Sequence, residues 1–342
     1  MATARFDVLT IGNAIMDVIA PIDRGFLERE GMTEGIMHLI DAERSAYLYD
    51  LMPDDKRLVS GGSAANTAAG VAALGGRAAF VGKVADDDLG DAFADDFRRI
   101  GVHYNVSRLI DGPATARSMI LLSAHGERTM NTYLGACQQL TPADIREAEI
   151  GGAFVTYMEG YLWDPPEAKK AFVTAAHYAH RNERATAFTL SDPFCVNRYR
   201  DEFLDLMRSK TIDYVFANIE ELKALYETRD LGEAVRAIGQ DAELAAITMG
   251  AEGAMVVANG EVISVPAFPA RVVDVTGAGD LFASGFLLGI ARGQSLEMAL
   301  RAGCLAASEV ISHVGARPVL DLNELAREHG VAVDRHEPAP VA

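Results

Sequence analysis

The sequence predicts an α/β protein: a doubly wound, mostly parallel sheet with helices on both faces, and a small β-sheet lid beside it. Three observations carry this. Short apolar runs that end in Gly or polar residues alternate with longer amphipathic or Ala-rich runs. Two segments, 18–39 and 113–133, break the alternation. The 342 residues exceed one small core yet fall short of three ordinary domains.

Taken in order, "FDVLTIG" (Phe6 to Gly12) is a short apolar run closed by Gly and reads as a buried strand. "SAANTAAGVAALG" (Ser63 to Gly75) opens on Ser, and its alanines predict a tightly packed helix. "RAAFVGKV" returns to a strand, and "DLGDAFADDFRRIG" is an amphipathic helix stopped by Gly101. The cycle then repeats. "GAFVTYMEG", "ATAFTLSD" and "TIDYVFAN" are strands, separated by the helix "PPEAKKAFVTAAHYAHRN" and followed by the helix "IEELKALYE". "LAAITMG" and "AMVVAN" add two strands. "LFASGFLLGIA" (Leu281 to Ala291) is apolar on all sides, so it is a buried helix. It is too short for the roughly 20 residues of a membrane span. The large domain is therefore expected from 1–17, 40–112 and 134–333, and the lid from 18–39 and 113–133. Within the lid, "ARSMILLSAHGERTMNTY" predicts a hairpin around "HGE". Residues 334–342 are polar and Pro-rich, and a frayed tail is expected there.

Composition excludes some functions. Hydrophobic residues make up 49% and charged residues 23%, which is globular rather than disordered. A net charge of -18, from 31 basic and 49 acidic residues, argues against nucleic acid and against an anionic membrane as partners. It leaves a phosphate ligand open, because backbone N–H groups and a metal ion hold anions locally. Cys137, Cys195 and Cys304 have no CxxC spacing, so neither a zinc site nor a disulfide framework is expected, and a reducing, cytoplasmic setting is. "MATARFDVLTIG" lacks the apolar stretch of a signal peptide.

The stretch "DVTGAGDLFASGF" carries the chemistry. Gly277, Ala278 and Gly279 stand between an expected strand and an expected helix. Free N–H groups and the helix dipole favour an anion there, and small side chains let a phosphate reach the backbone. Asp280 falls in the first helical turn. Beside bound polyphosphate, a carboxylate is badly placed to bind it but well placed to take a proton from an attacking hydroxyl. The stretch therefore points to phosphoryl transfer. A bare G-x-G-D is equally a helix cap with glycines for close packing. A Walker loop is absent, as is G-x-G-x-x-G after the first strand, which disfavours a nicotinamide-dependent dehydrogenase. Asn13 and Asp17 in "GNAIMD" follow the first strand at its carboxyl end, where open α/β sheets bind ligands. Their short polar side chains suit the vicinal hydroxyls of a sugar.

"DVTGAGDLFASGFL" (Asp274 to Leu287) resembles the C-terminal signature of the ribokinase-like, phosphofructokinase-B-type carbohydrate and nucleoside kinases. "GGSAANTA" (Gly61 to Ala68) resembles their N-terminal signature, with Asn66 at its polar position. The likeness runs from "TIGNAIMD" to "SHVGARP" and is strongest to the adenosine-kinase-like branch. One departure is Ala85 in "KVADDDLG", where the family usually has Gly.

The resemblance implies ATP-dependent transfer to the 5′-hydroxyl of adenosine, giving AMP and ADP. It implies Asp280 as base and Gly277, Ala278 and Gly279 as anion hole. Asp17, with Asn13, Gly61, Gly62 and Asn66, would hold the acceptor. Asn218 and Glu221 match an N-x-x-E that serves a magnesium–water network, although Glu220 and Glu221 taken alone read as solvated helix charges. Thr248, Gly250 and Gly253 match a strip along the nucleotide. Asp274 and Thr276 match positions that bind a monovalent cation, potassium, in some members. Arg128 resembles a lid arginine that meets the phosphates. A base needs an apolar slot, and Met37, Tyr133, Tyr161, Trp163 and Phe194 are candidates. Phe194 and either Tyr161 or Leu162 resemble base-contacting positions. The alternatives are a ribose or fructose kinase, an inosine–guanosine kinase, or a nucleoside-binding regulator without turnover. The expected assembly is a monomer or homodimer.

Overall fold

The computed structural model describes residues 4–123, 127–331, 333 and 334. The expected hairpin tip at His125 and Gly126 and the expected frayed tail beyond Asp334 lie outside these residues.

Nine strands form the main sheet, in the order β14-β13-β12-β11-β10-β9-β1-β5-β6. They are β1 (Phe6–Ile11), β5 (Ala78–Val81), β6 (His103–Tyr104), β9 (Ala153–Glu159), β10 (Ala185–Thr189), β11 (Tyr214–Asn218), β12 (Leu244–Thr248), β13 (Ala254–Ala258) and β14 (Glu261–Val265). The pairings from β6 to β12 are parallel, and the last two are antiparallel. A second sheet has the order β3-β8-β7-β2-β4, from β2 (Ile15–Pro21), β3 (Met37–Leu39), β4 (Arg57–Gly61), β7 (Ala116–Leu122) and β8 (Arg128–Tyr133). The expected doubly wound sheet with a small second sheet is thus present.

Two details of the sheets differ from the expectation, and the departure at Ala85 is accommodated. The small sheet begins at Ile15 and takes in Arg57–Gly61, both from stretches assigned by sequence to the large domain. "RLVSG" has no clean apolar alternation, and it becomes a strand by pairing with distant β2. The strand "EVISV" was not anticipated, although its turn is legible. Asn259 and Gly260 both have positive φ (52° and 78°), the Asn-Gly pattern of a two-residue hairpin. Finally, Ala85 keeps a negative φ, so the missing glycine leaves the backbone unstrained there, and its N–H donates to Thr115 Oγ1 (3.0 Å).

Helices cover both faces. One core lies beneath α3 (Ser63–Ala73), α4 (Asp88–Arg99), α10 (Ala278–Ala291) and α11 (Leu296–Val310). The other lies beneath α6 (Pro166–Arg181), α7 (Pro193–Arg208), α8 (Ile219–Leu225) and α9 (Leu231–Asp241). The remaining helices are α1 (Arg24–Arg29), α2 (Ala42–Leu51), α5 (Glu147–Ile150) and α12 (Leu322–Glu328). Among the described residues, no helix is long and apolar enough to cross a membrane. The sheet order reverses beside β1, whose neighbours are β5 on one side and β9 on the other. The carboxyl ends of β1 and β9 therefore open the crevice where such sheets hold ligands.

Helix α10 is the central buried helix, with Leu281 to Gly289 all out of solvent. It packs on α11 at close range through glycine. A Cβ on Gly285 would stand 2.5 Å from the Ala302 carbonyl oxygen, which is backbone and cannot rotate aside. Gly285→Ala is expected to lower stability by about 1–3 kcal/mol. Thermal unfolding checks this, and an unchanged midpoint would show that the two helices separate without cost.

Candidate active site

Two clefts meet at the N-terminus of α10. The first, about 530 Å³, lies between the two sheets and is lined by Asp17, Asn66, Arg128, Tyr161, Asn218 and Asp280 among others. The second, about 550 Å³, is lined mainly by apolar groups, including Phe268, Pro269, Val272 and Ile311. Thr248, Val275, Ala278, Gly279 and Phe282 line both. A ligand with one end in each cleft would pass directly over Ala278 and Gly279.

The local sequence explains this junction. Gly277 caps α10 in the left-handed region (φ 80°), and a Cβ there would stand 2.7 Å from the Ala316 Cβ. Gly277 itself has no side chain to cap the helix, so the positive end of α10 faces the junction. The Ala278 N–H already donates to the Val275 carbonyl (3.2 Å), which leaves Gly279 the less encumbered of the two.

Asp280 follows in the first turn. Ser63 Oγ donates to Oδ1 (2.6 Å) and Asn66 Nδ2 to Oδ2 (2.9 Å). Loss of water pushes its carboxyl up to about 6, against the pull of these donors and of Arg317. Ser63 was not singled out from sequence. It reads as a helix cap, but Gly62 takes the cap position at φ 103° and frees the hydroxyl for Asp280. A Cβ on Gly62 would lie 2.1 Å from the Asn13 carbonyl oxygen. Asp17 also lines the first cleft, with its carboxyl likewise raised to about 6 by desolvation and drawn down by Arg128 and Arg317. Gly61 packs on it so closely that a Cβ would meet Oδ2 at 2.5 Å.

Asn218 and Glu221 form a reciprocal cap on α8 and line the first cleft. Asn218 Nδ2 donates to Glu221 Oε1 (2.6 Å), and burial raises the Glu221 carboxyl to about 7. Thr248 lines both clefts, and Gly250 and Gly253 line the second. Arg128 reaches from β8 to Asp274 and donates to Thr276 Oγ1 (2.7 Å). Asp274 also accepts from Thr276 N (3.0 Å), Thr276 Oγ1 (2.7 Å) and Gly315 N (2.9 Å). Its two oxygens thus take four donors, and the cation beside them is the Arg128 guanidinium.

Other expected acceptor contacts are elsewhere. Asn13 lines neither cleft. Its N–H (2.8 Å) and Nδ2 (2.7 Å) both donate to Glu159 Oε1. Met37 is 50% exposed on edge strand β3, in register with Met130. Tyr133 is an odd number of residues from Arg128 and Met130, so strand alternation turns it to the opposite face. Ile120 and Met130, which sequence reasoning missed, occupy the cleft instead. Phe194 is 78% exposed at the start of α7, outside both clefts. Leu162 and Trp163 are core, the indole N–H donating to Glu202 (2.8 Å). Tyr161 alone of that group lines the first cleft, fixed by its hydroxyl donating to the Ser191 carbonyl (3.0 Å).

Glu159 is the largest omission. It is fully buried at the end of β9, accepting from Asn13 and, through Oε2, from Ala64 N (2.6 Å). Burial raises its carboxyl to about 7. It joins the end of β1 to the first turn of α3, and so sets where Ser63 and Asn66 stand. Nothing in "MEGYL" distinguishes it from a solvated strand-end glutamate.

The likenesses to known proteins agree with this geometry. A family model described as pfkB family carbohydrate kinase matches residues 35–322. The crystal structure of adenosine kinase from Sinorhizobium meliloti is similar, with 54% identity and a TM-score of 0.86 over 95% of this chain and 100% of that one. A probable sugar kinase from Rhizobium etli has 52% identity and a TM-score of 0.88 over 96% and 100%. Adenosine kinase of Saccharomyces cerevisiae is 28% identical over 90% of this chain and 95% of its own.

Glu159→Gln would turn an amide NH₂ toward the Ala64 or the Asn13 donors, leaving at least one buried N–H unmatched. Stability is expected to fall by about 1–3 kcal/mol. Thermal unfolding at neutral pH reads this, and a midpoint equal to that of the unaltered protein would remove Glu159 as the brace between β1 and α3.

Proposed function

The chain belongs to the pfkB family of carbohydrate kinases, and from that premise we propose that it transfers the γ-phosphoryl group of ATP to the 5′-hydroxyl of adenosine, giving AMP and ADP. One observation carries the reading most. Asp280 is fixed by two donors at the junction of two clefts, beside the open end of a helix.

In this reading the nucleoside occupies the first cleft and the ATP base the second. Asp17 accepts from the ribose hydroxyls. Asp280 takes the proton of the 5′-hydroxyl as its oxygen attacks phosphorus and the bond to the β-phosphate oxygen breaks. The end of α10 at Gly279 stabilises charge on the transferring group, and the small sheet over the cleft limits water. Magnesium, when bound, neutralises phosphate charge. Glu221 and Asn218 face the first cleft and would hold it through water, in keeping with its preference for few direct protein ligands. Arg128 is placed to turn from Asp274 toward the phosphates. Three free cysteines accord with a cytoplasmic setting.

A sugar kinase is the second reading, favoured by the name of the Rhizobium etli protein. The cleft walls speak for the nucleoside. Ile120, Met130, Tyr157, Tyr161 and Phe216 bring apolar groups to a lining that is otherwise polar, and a nucleobase uses them where a free sugar does not. Inosine and guanosine stay as competitors for the same walls.

Mg-ATP with adenosine, inosine, guanosine, ribose and fructose, read by mass of the phosphorylated product, tests the acceptor. AMP from adenosine at the highest kcat/KM is expected, and a phosphorylated sugar with adenosine untouched would overturn it. Asp280 must be ionised to act as a base, and its carboxyl lies near 6. The kcat/KM for adenosine is therefore expected to fall as pH drops below about 6 and to level above it. A flat profile from pH 5 to about 8 would contradict the assignment.

A further inference from the structure

Arg317 lies in the loop after α11 and is absorbed by none of the roles above. Its Nε donates to the Ser60 carbonyl (3.1 Å), its Nη1 to the Ala65 carbonyl (3.1 Å) and its Nη2 to Ser60 Oγ (2.8 Å). The guanidinium therefore spans the turn from the end of β4 into α3. That turn is the one that matters for both site carboxylates. Gly61 forms the wall against Asp17, and Ser63 and Asn66 donate to Asp280. The same loop holds Ala316 against Gly277 and offers Gly315 N to Asp274. Arg317 thus ties the base of the small sheet, α3 and the α10 junction into one unit.

Its charge is also distinctive. The acceptors that it meets are two carbonyls and a hydroxyl, all neutral. We propose that Arg317 is a positioning residue for phosphoryl transfer: it clips the 60–65 turn that places Asp17 and Asp280, and it supplies the positive charge that both of them share. The proposal rests on Asp280 serving as the base.

The surrounding charges support it. Asp96 of α4 attracts Arg317 most, then Asp17 of β2 and Asp280 of α10, and Arg99 of α4 opposes it. Asp96 accepts from Ser60 N (3.1 Å) and from Ser60 Oγ, and with Arg317 it lines a separate cleft beside β4. Arg128 of β8 acts on Asp17, while Glu159 and Tyr157 of β9 face Asp280 and bring it no positive charge. Arg317 is the cation that acts on both Asp17 and Asp280. Removing a nearby positive charge makes a carboxylate harder to ionise, so its titration moves upward.

The test compares Arg317→Gln and Arg317→Lys with the unaltered protein. Selective ¹³C labelling of aspartate carboxyls, with Asp280→Asn to assign the signal, reads the Asp280 midpoint by NMR without any substrate. In Arg317→Gln the midpoint is expected to rise by about one pH unit, and the acid limb of kcat/KM with it. Arg317→Lys keeps the charge and loses the forked donors, so it is expected to keep the midpoint while lowering kcat. A folded Arg317→Gln protein with an unmoved midpoint would overturn the proposal. Should Arg317→Gln fail to fold, Arg317→Lys decides: a displaced midpoint or undiminished kcat overturns it, and a retained midpoint with reduced kcat supports it. A protein that ignores adenosine but shows the expected NMR shifts would sink the choice of acceptor and leave this role standing.

Discussion

The site is built around a carboxylate that must stay ionised while it is partly withdrawn from water. Asp280 loses hydration by sitting in the first turn of α10, and that loss favours the protonated form. Three things offset it. The helix end gives a favourable field, Ser63 and Asn66 donate to its two oxygens, and Arg317 adds a positive charge nearby. Each of these is delivered by a different part of the chain, so the carboxylate works only when the strands and helices that carry them are in register.

That requirement accounts for much of the local backbone. Gly62 and Gly277 both hold positive φ and both touch a neighbouring segment where a side chain would not fit. The first sets where α3 begins, the second where α10 begins. Glu159, buried between Asn13 and Ala64, fixes α3 against the end of β1. The small sheet is tied in separately, through Arg128 on Asp274 and Thr276. The two clefts share a wall because the α10 end, held from these directions, is the point at which they meet.

How much of this the sequence disclosed follows from what kind of information each feature needs. The parallel strands and their crossover helices were legible because apolar runs and amphipathic runs differ in period. The junction was legible because Gly-Ala-Gly before Asp is an unusual cost that an anion site explains. Features that depend on distant pairing were not. β4 has no alternation of its own and exists by pairing with β2. Met37, Tyr133 and Phe194 are plausible aromatic or apolar contacts by type, but strand alternation, an edge position and a helix start turn them away from the cleft. Glu159 and Arg317 are ordinary charged residues in sequence, and only the folded chain shows that one is buried on the N–H groups of Asn13 and Ala64 and the other spans two elements.

The most direct test of the central claim is a single-turnover comparison of the unaltered protein with Asp280→Asn, using Mg-ATP and adenosine, with nucleoside binding measured separately by calorimetry. The amide keeps the size of the side chain and can still meet one of its two donors, but it cannot take a proton. Transfer is expected to slow by about 100-fold or more while adenosine binding changes little. Transfer at a near-normal rate, with binding intact, would show that the proton leaves by another route and that the junction at α10 is not built around this carboxylate.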